Sequence, residues 1–313
     1  MRPSLSTAAA SADTVISVSG LTMSYGDVQV LHGVDIDIHR GEVCAVVGPN
    51  GAGKTTTVEI LEGYRRRTGG DVSVLGVDPS RPTRAWRGHI GIVLQTCAVP
   101  PDLTVRELVE RFANYYPAPR PVGETLDLVG LADCHSRRAG SLSGGQQRRL
   151  DVAMALVGDP ELLFLDEPTT GFDPAARHQA WAVIARLGEL GKTVLLTTHY
   201  MEEAEALADR VIVIVDGHVV ADATPGTLGG RADAAATIRF ALPVGVVVES
   251  VPVSSPCRTT LNERGVVEIL GAGQVDLCRL LDWAKDGDLS LAGLTVERPN
   301  LEDVYLELTG GVS

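Results

Sequence analysis

Residues 15–38 alternate apolar and polar positions in short runs. Val34, Ile36 and Ile38 fall on one face and Asp35 and Asp37 on the other, which predicts an antiparallel edge sheet. The texture changes after Gly41, where residues 43–47 (Val-Cys-Ala-Val-Val) are apolar on both faces, as a buried parallel strand requires. Residues 90–94, 162–165 and 193–198 repeat that texture with helical stretches between them. The chain therefore reads as α/β, with a mainly parallel sheet and helices on both faces. Residues 54–64 form the first of these helices. A more helical insert separates the strands at 90–94 and 162–165; there Thr104 is placed to cap a helix with Glu107 three residues on, and Leu108 and Phe112 share a face before Pro117. Residues 211–215, Asp216-Gly217 and 218–221 spell a tight hairpin.

Near Pro225 the pattern shifts to short strands at 237–242 and 244–253, a helix over 274–285, and a last helix capped by Asn300. That helix ends at Gly310, with Leu301, Val304, Tyr305 and Leu308 along one side. This predicts a small separate α+β domain over 225–313. Residues 1–14 are small and polar without an apolar core, and read as a disordered tail rather than a leader.

Composition narrows the function. The chain has 313 residues, 44% hydrophobic but 4% aromatic, as an ordinary globular α/β protein would be. A net charge of −13 argues against a nucleic-acid partner, so any phosphate site must be local. Five cysteines, odd in number and without a C-x-x-C pair, indicate neither a disulfide framework nor a zinc site. No apolar run approaches the ~20 residues that span a bilayer, so a role at the membrane requires a separate spanning subunit.

One such local site is written between the strand at 43–47 and the helix after it. Gly48-Pro49-Asn50-Gly51-Ala52-Gly53-Lys54-Thr55, followed by Thr56, has the Walker A order. Its glycines let the backbone curl around phosphate oxygens, Lys54 supplies a point charge, and Thr55 offers its hydroxyl to Mg2+. Leu162-Leu163-Phe164-Leu165-Asp166-Glu167 ends a buried strand in two acids: Asp166 to hold Mg2+ or its water, Glu167 to orient or deprotonate an attacking water. Ser143-Gly144-Gly145-Gln146 opens another helix with free backbone N–H groups, a second phosphate cradle. Taken singly, the acids are also a solvated strand end and the Ser-Gly-Gly string a helix start.

In combination these strings resemble the ATP-binding cassette (ABC) family of ATPases over roughly residues 15–224, with a helical subdomain at about 97–143. The resemblance implies a P-loop cassette with a parallel core, an antiparallel β subdomain and a helical subdomain. It also implies that two copies pack head to tail, so that the Walker loop of one and the Ser143–Gln146 helix of the other enclose the same ATP with Mg2+. Carried over residue by residue, Tyr25 matches the aromatic that stacks on adenine, and Gln95 the glutamine that senses Mg2+ and the attacking water. Asp173 matches the aspartate that reaches across the dimer, and His199 the switch histidine at the γ-phosphate. Their plainer readings are packing for Tyr25, a polar strand end for Gln95 and a helix N-cap for Asp173. Phe172 departs from the family's usual leucine.

Leu61-Glu62-Gly63-Tyr64-Arg65, Gly145-Gln146-Gln147-Arg148-Arg149-Leu150 and Pro299-Asn300-Leu301-Glu302-Asp303-Val304-Tyr305 look like the daunorubicin-resistance type of multidrug exporter ATPase. Such proteins work with ABC-2 type permeases, which implies a peripheral place on the cytoplasmic face of the membrane. An importer ATPase, or a soluble ABC-type ATPase of DNA repair or translation, stays open as the alternative.

Overall fold

The computed structural model describes residues 13–94, 99–231, 234–254, 256–262 and 264–310. They divide into one unit ending at Pro225 and another over Gly226–Gly310.

In the first unit, β1 (Thr14–Tyr25) pairs antiparallel with β2 (Val28–His39) on one side. Between β2 and the third strand of that sheet come β3 (Val43–Val47) and α1 (Lys54–Leu61). β4 (Gly69–Val74) then completes a three-stranded sheet in the order β2-β1-β4. A second sheet carries the chemistry. After α2 (Arg84–Arg87) come β5 (Ile90–Val93), α3 (Val105–Ala113), α4 (Val122–Leu128), α5 (Gly144–Leu156), β6 (Leu162–Asp166), α6 (Pro174–Glu189), β7 (Thr193–Thr198), α7 (Met201–Leu207), β8 (Arg210–Val215) and β9 (His218–Ala223). Strand order is β5-β6-β7-β3-β8-β9, parallel except for the β8–β9 hairpin.

Every residue of β3 and β7 is buried, as central parallel strands demand. Cys44, Val46, Phe164, Leu195, Ile212 and Ile214 share one core with the apolar face of the antiparallel sheet and with Val58, Ile60 and Leu61 of α1. The alternating β2 pattern thus closes one side of the parallel sheet. The hairpin turn holds Asp216 at φ 46° and Gly217 at φ 72°, the paired left-handed residues of a two-residue loop. Thr104 caps α3 in a reciprocal box with Glu107.

Three expectations change. The helix at 54–64 ends at Leu61, because Gly63 turns left-handed (φ 75°) and a Cβ there would meet the Pro79 carbonyl at 2.6 Å. The strand at 90–94 stops at Val93 and lies at the sheet edge, so Ile92 and Leu94 are exposed. The expected strand at 244–253 is absent: Pro243, Gly245 and Pro252 interrupt it, and the segment holds one turn of 3-10 helix at Val248–Ser250.

The second unit builds its sheet from β10 (Ala236–Ala241), β11 (Arg258–Leu261), β12 (Val266–Ala272) and β13 (Thr295–Glu297), in the order β11-β12-β10-β13. Leu280 of α8 (Gln274–Asp286) shares its core with Ile238, Phe240, Val267 and Ile269. α9 (Leu301–Leu308) begins at the Asn300 cap and buries Leu301 and Val304. Among the described residues, no helix is long and apolar enough to cross a membrane.

Candidate functional site

The loop between β3 and α1 is shaped by close approach. A Cβ on Gly48 would lie 2.1 Å from the Ile214 carbonyl oxygen, and one on Gly53 2.6 Å from Leu31 Cδ2, so the backbone occupies space open to glycine alone. Lys54 is buried and folds back over the loop, its Nζ donating to Gly48 O at 2.7 Å and Pro49 O at 3.0 Å. Burial pulls its ammonium below the usual lysine range, while Glu167 and Asp166 pull against that. The lysine is thus an ammonium held in a poorly solvated loop and facing two acids. Thr55 is exposed on the first turn of α1, and Thr56 Oγ1 lies 3.3 Å from the Tyr25 hydroxyl. Tyr25 itself is half exposed, with the Arg65 guanidinium 5.0 Å from its ring centre.

β6 delivers the acids. Asp166 Oδ1 accepts the Thr197 hydroxyl at 2.5 Å, which fixes the carboxylate against β7. Glu167 follows at φ 44°, a backbone that glutamate seldom adopts. Its N–H donates to Thr197 Oγ1 at 3.0 Å, its Oε2 accepts the Thr170 hydroxyl at 3.0 Å, and its Oε1 lies 3.4 Å from His199 Nδ1. Buried Thr197 at the end of β7 therefore holds the Asp166 carboxylate and the Glu167 backbone, Thr170 holds the Glu167 carboxylate, and the turn after β7 brings the histidine to it.

The sheet thus gathers Lys54, Asp166, Glu167 and His199, with Tyr25 and Thr56 paired to each other. It does not bring the Ser143–Gln146 string to them. Ser143 caps α5, its Oγ accepting from Gln146 N at 3.3 Å while Gln146 Oε1 accepts from Ser143 N at 3.1 Å. Ser143 and Gly144 are exposed, and a Cβ on Gly144 would meet open space. Asp173 Oδ1 caps α6, accepting from Ala176 N at 2.8 Å. Gln95 lies outside the described residues.

Arg148, quoted in the sequence only as part of a resemblance, does structural work near the site. Buried on α5, it donates to the carbonyls of Leu94, Asp166 (2.7 Å) and Pro168 (3.2 Å), clamping the ends of β5 and β6 together. Its spacing to the buried Val152 and Ala155, on the same helical face, was the signal that it points inward.

The chain is 37% identical to the daunorubicin resistance ATP-binding protein DrrA3 of Streptomyces coeruleorubidus, over 96% of this chain and 97% of that one. The chain belongs to the ABC transporter ATP-binding proteins. The model of the ABC transporter family matches residues 31–170 of this ABC ATPase, and that of the ABC transporter domain-containing protein-like C-terminal domain matches 236–300. The Nod factor export ATP-binding protein I of Rhizobium meliloti is 37% identical over 94% of this ABC ATPase and 88% of that protein. Among solved structures, an ATP-binding subunit of an ABC transporter is 27% identical with a TM-score of 0.61, covering 68% of this chain and 91% of that one. An ATP-binding cassette solved as a dimer in a post-hydrolysis state with ADP and phosphate is 26% identical, TM-score 0.59, covering 67% and 98%. This ABC ATPase is accordingly a nucleotide-binding, ATP-hydrolysing subunit.

Proposed function

We propose that the chain powers export of a drug, antibiotic or lipid-like compound through a separate ABC-2 type permease, from the cytoplasmic face of the membrane. The observation that carries this reading is the extent of the likeness to the daunorubicin resistance protein, which runs through both units rather than the cassette alone. Importers and soluble ABC-type ATPases share the cassette; the tail favours the exporter.

In the proposed mechanism the Walker loop N–H groups and Lys54 hold the β- and γ-phosphates, and Tyr25 offers its half-exposed ring to adenine. Glu167 orients a water in line with the γ-phosphate and takes up its proton, and His199, beside it, contacts the γ-phosphate. Gln95 completes the water's surroundings. Thr55 and Asp166 suit Mg2+, an ion that takes one or two protein oxygens beside phosphate and water: Thr55 is exposed and only Oδ1 of Asp166 is engaged among the described residues. When bound, Mg2+ would offset charge on the phosphate oxygens. In keeping with the similar cassette solved as a dimer, a second copy is the proposed source of the Ser143–Gln146 half of the enclosure, with Asp173 lining the seam; among the described residues this string makes no hydrogen bond or ion pair with its own Walker loop.

The permease is proposed to seat in a groove of about 530 Å³ lined by Tyr64, Leu94, Phe112 and Tyr116, beside the helical insert. Two measurements test the reading. Glu167→Gln is expected to bind ATP, lose steady-state hydrolysis and accumulate as an ATP-bound dimer; hydrolysis at the wild-type rate would refute the assignment. Co-expression with a candidate ABC-2 type permease should move the chain into the membrane fraction, whereas co-fractionation with ribosomes or nucleic acid would favour the soluble alternative.

A further inference from the structure

Glu203 stands on the first turn of α7, four residues after His199, and is fully buried. Its Oε1 accepts the Thr169 hydroxyl at 2.8 Å and the Trp181 indole N–H at 3.0 Å. Its Oε2 is buried with no hydrogen-bond partner among the described residues. Thr169, also fully buried, lies between Glu167 and Asp173, and Trp181 belongs to α6, the helix that Asp173 caps. One carboxylate oxygen therefore joins three segments: the His199 turn, the 167–173 loop and α6.

A second tie runs beside it. The His199 and Tyr200 rings lie 4.0 Å apart, and the Arg177 guanidinium of α6 sits 4.4 Å from the Tyr200 ring centre. With His199 Nδ1 3.4 Å from Glu167 Oε1, the path closes on itself. α7 has no side-chain cap of its own, and these contacts hold the turn before it together with Tyr200 N–H donating to Thr198 Oγ1 at 3.0 Å and the Arg177–Glu202 ion pair at 3.8 Å. A buried carboxylate with one oxygen unmatched is a poor way to gain stability, since a well-packed apolar group of similar size avoids the desolvation cost. Its presence calls for another explanation.

We propose that Glu203 is a positioning residue that couples the His199 turn to the 167–173 loop, so that contact of His199 with the terminal phosphate sets the Glu167 carboxylate and the Asp173 surface together. This rests on the roles proposed above for Glu167 and His199. Through Thr169, movement of α7 reaches the backbone two residues from Glu167; through Trp181 it reaches the helix that Asp173 caps.

The test uses the full chain with Mg-ATP and compares Thr169→Val, Glu203→Ala, Glu203→Gln and the Thr169→Val/Glu203→Ala double variant. Thr169→Val and Glu203→Ala should each lower kcat about tenfold or more with KM for ATP within about twofold, and the double variant should be no slower than the slower single one. Glu203→Gln, which keeps an acceptor oxygen for both donors, should recover to within about threefold of wild type. The Trp181 indole N–H resonance, identified through Trp181→Phe, should shift on ATP binding in the wild type and stay fixed in Thr169→Val. Unchanged kcat in Thr169→Val with the resonance still moving, or fully additive losses in the double variant, would overturn the proposal. If Glu203→Ala does not fold, the near-isosteric Thr169→Val carries both readouts alone. Should Glu167→Gln, measured alongside, hydrolyse normally, the assignment of Glu167 fails, while the Trp181 resonance still decides the Glu203 link.

Discussion

Glu62, the C-cap of α1, is buried, and its carboxyl is pushed up to about 8 from an ordinary 4.5, first by burial and then by the charges of Asp166 and Glu59. Between those two values the folded chain keeps a proton that the unfolded chain releases. The stabilising contribution is therefore complete below about pH 4.5 and is lost as pH rises through about 8. The full shift corresponds to at most about 5 kcal/mol, and relaxation of the site brings the expected loss to roughly 2–3 kcal/mol. Glu62→Gln supplies the same shape without the titration. In urea unfolding at pH 5.5, 7 and 9, in EDTA and without nucleotide, wild type should lose stability across the series from this group. The variant should be flatter, and more stable than wild type at pH 9. Parallel pH profiles for the two proteins, or a variant less stable than wild type at pH 9, would refute the argument.

Gly48→Ala should weaken ATP binding at least tenfold with the far-UV spectrum intact, because its Cβ would lie 2.1 Å from the Ile214 carbonyl and the loop must move; nucleotide titration by calorimetry reads this directly. Lys54→Ala should abolish measurable hydrolysis in a phosphate-release assay while the far-UV spectrum is retained, since the contacts it removes are to the loop's own Gly48 and Pro49 carbonyls. Arg148→Leu leaves three carbonyls without their donor and should cost about 3 kcal/mol in chemical unfolding, beyond any effect on activity. Thr104→Ala removes one half of the α3 capping box and should cost about 1 kcal/mol by the same assay, with hydrolysis unchanged.

The parts of the fold that showed in the sequence are those where one pattern admits one environment. The all-apolar run at 43–47 reads as a central strand, and the Asp-Gly pair at 216–217 fits only a tight reversal. The valine-rich 244–253 segment failed because residue type favoured a strand while Pro243, Gly245 and Pro252 removed the regular pairing that a strand needs. β11, Arg-Thr-Thr-Leu, gave no apolar alternation because it is an edge strand with most of its side chains exposed. For the site, the Walker loop and the paired acids were legible because their chemistry is local in sequence. Thr197, Arg148 and Glu203 were not, since their partners lie 31, 18 and 34 residues away and only the folded sheet brings them together.

The left-handed backbone at Glu167 makes that position answer differently to two kinds of selection. Glycine and asparagine accept such dihedrals with less strain than glutamate, whereas valine, isoleucine and threonine add a branched Cβ to the conflict. A library randomised there and sorted for folding alone should enrich glycine and asparagine; sorted for turnover of ATP, it should return glutamate. The distance between those two outcomes measures how much conformational comfort this loop gives up to aim one carboxylate.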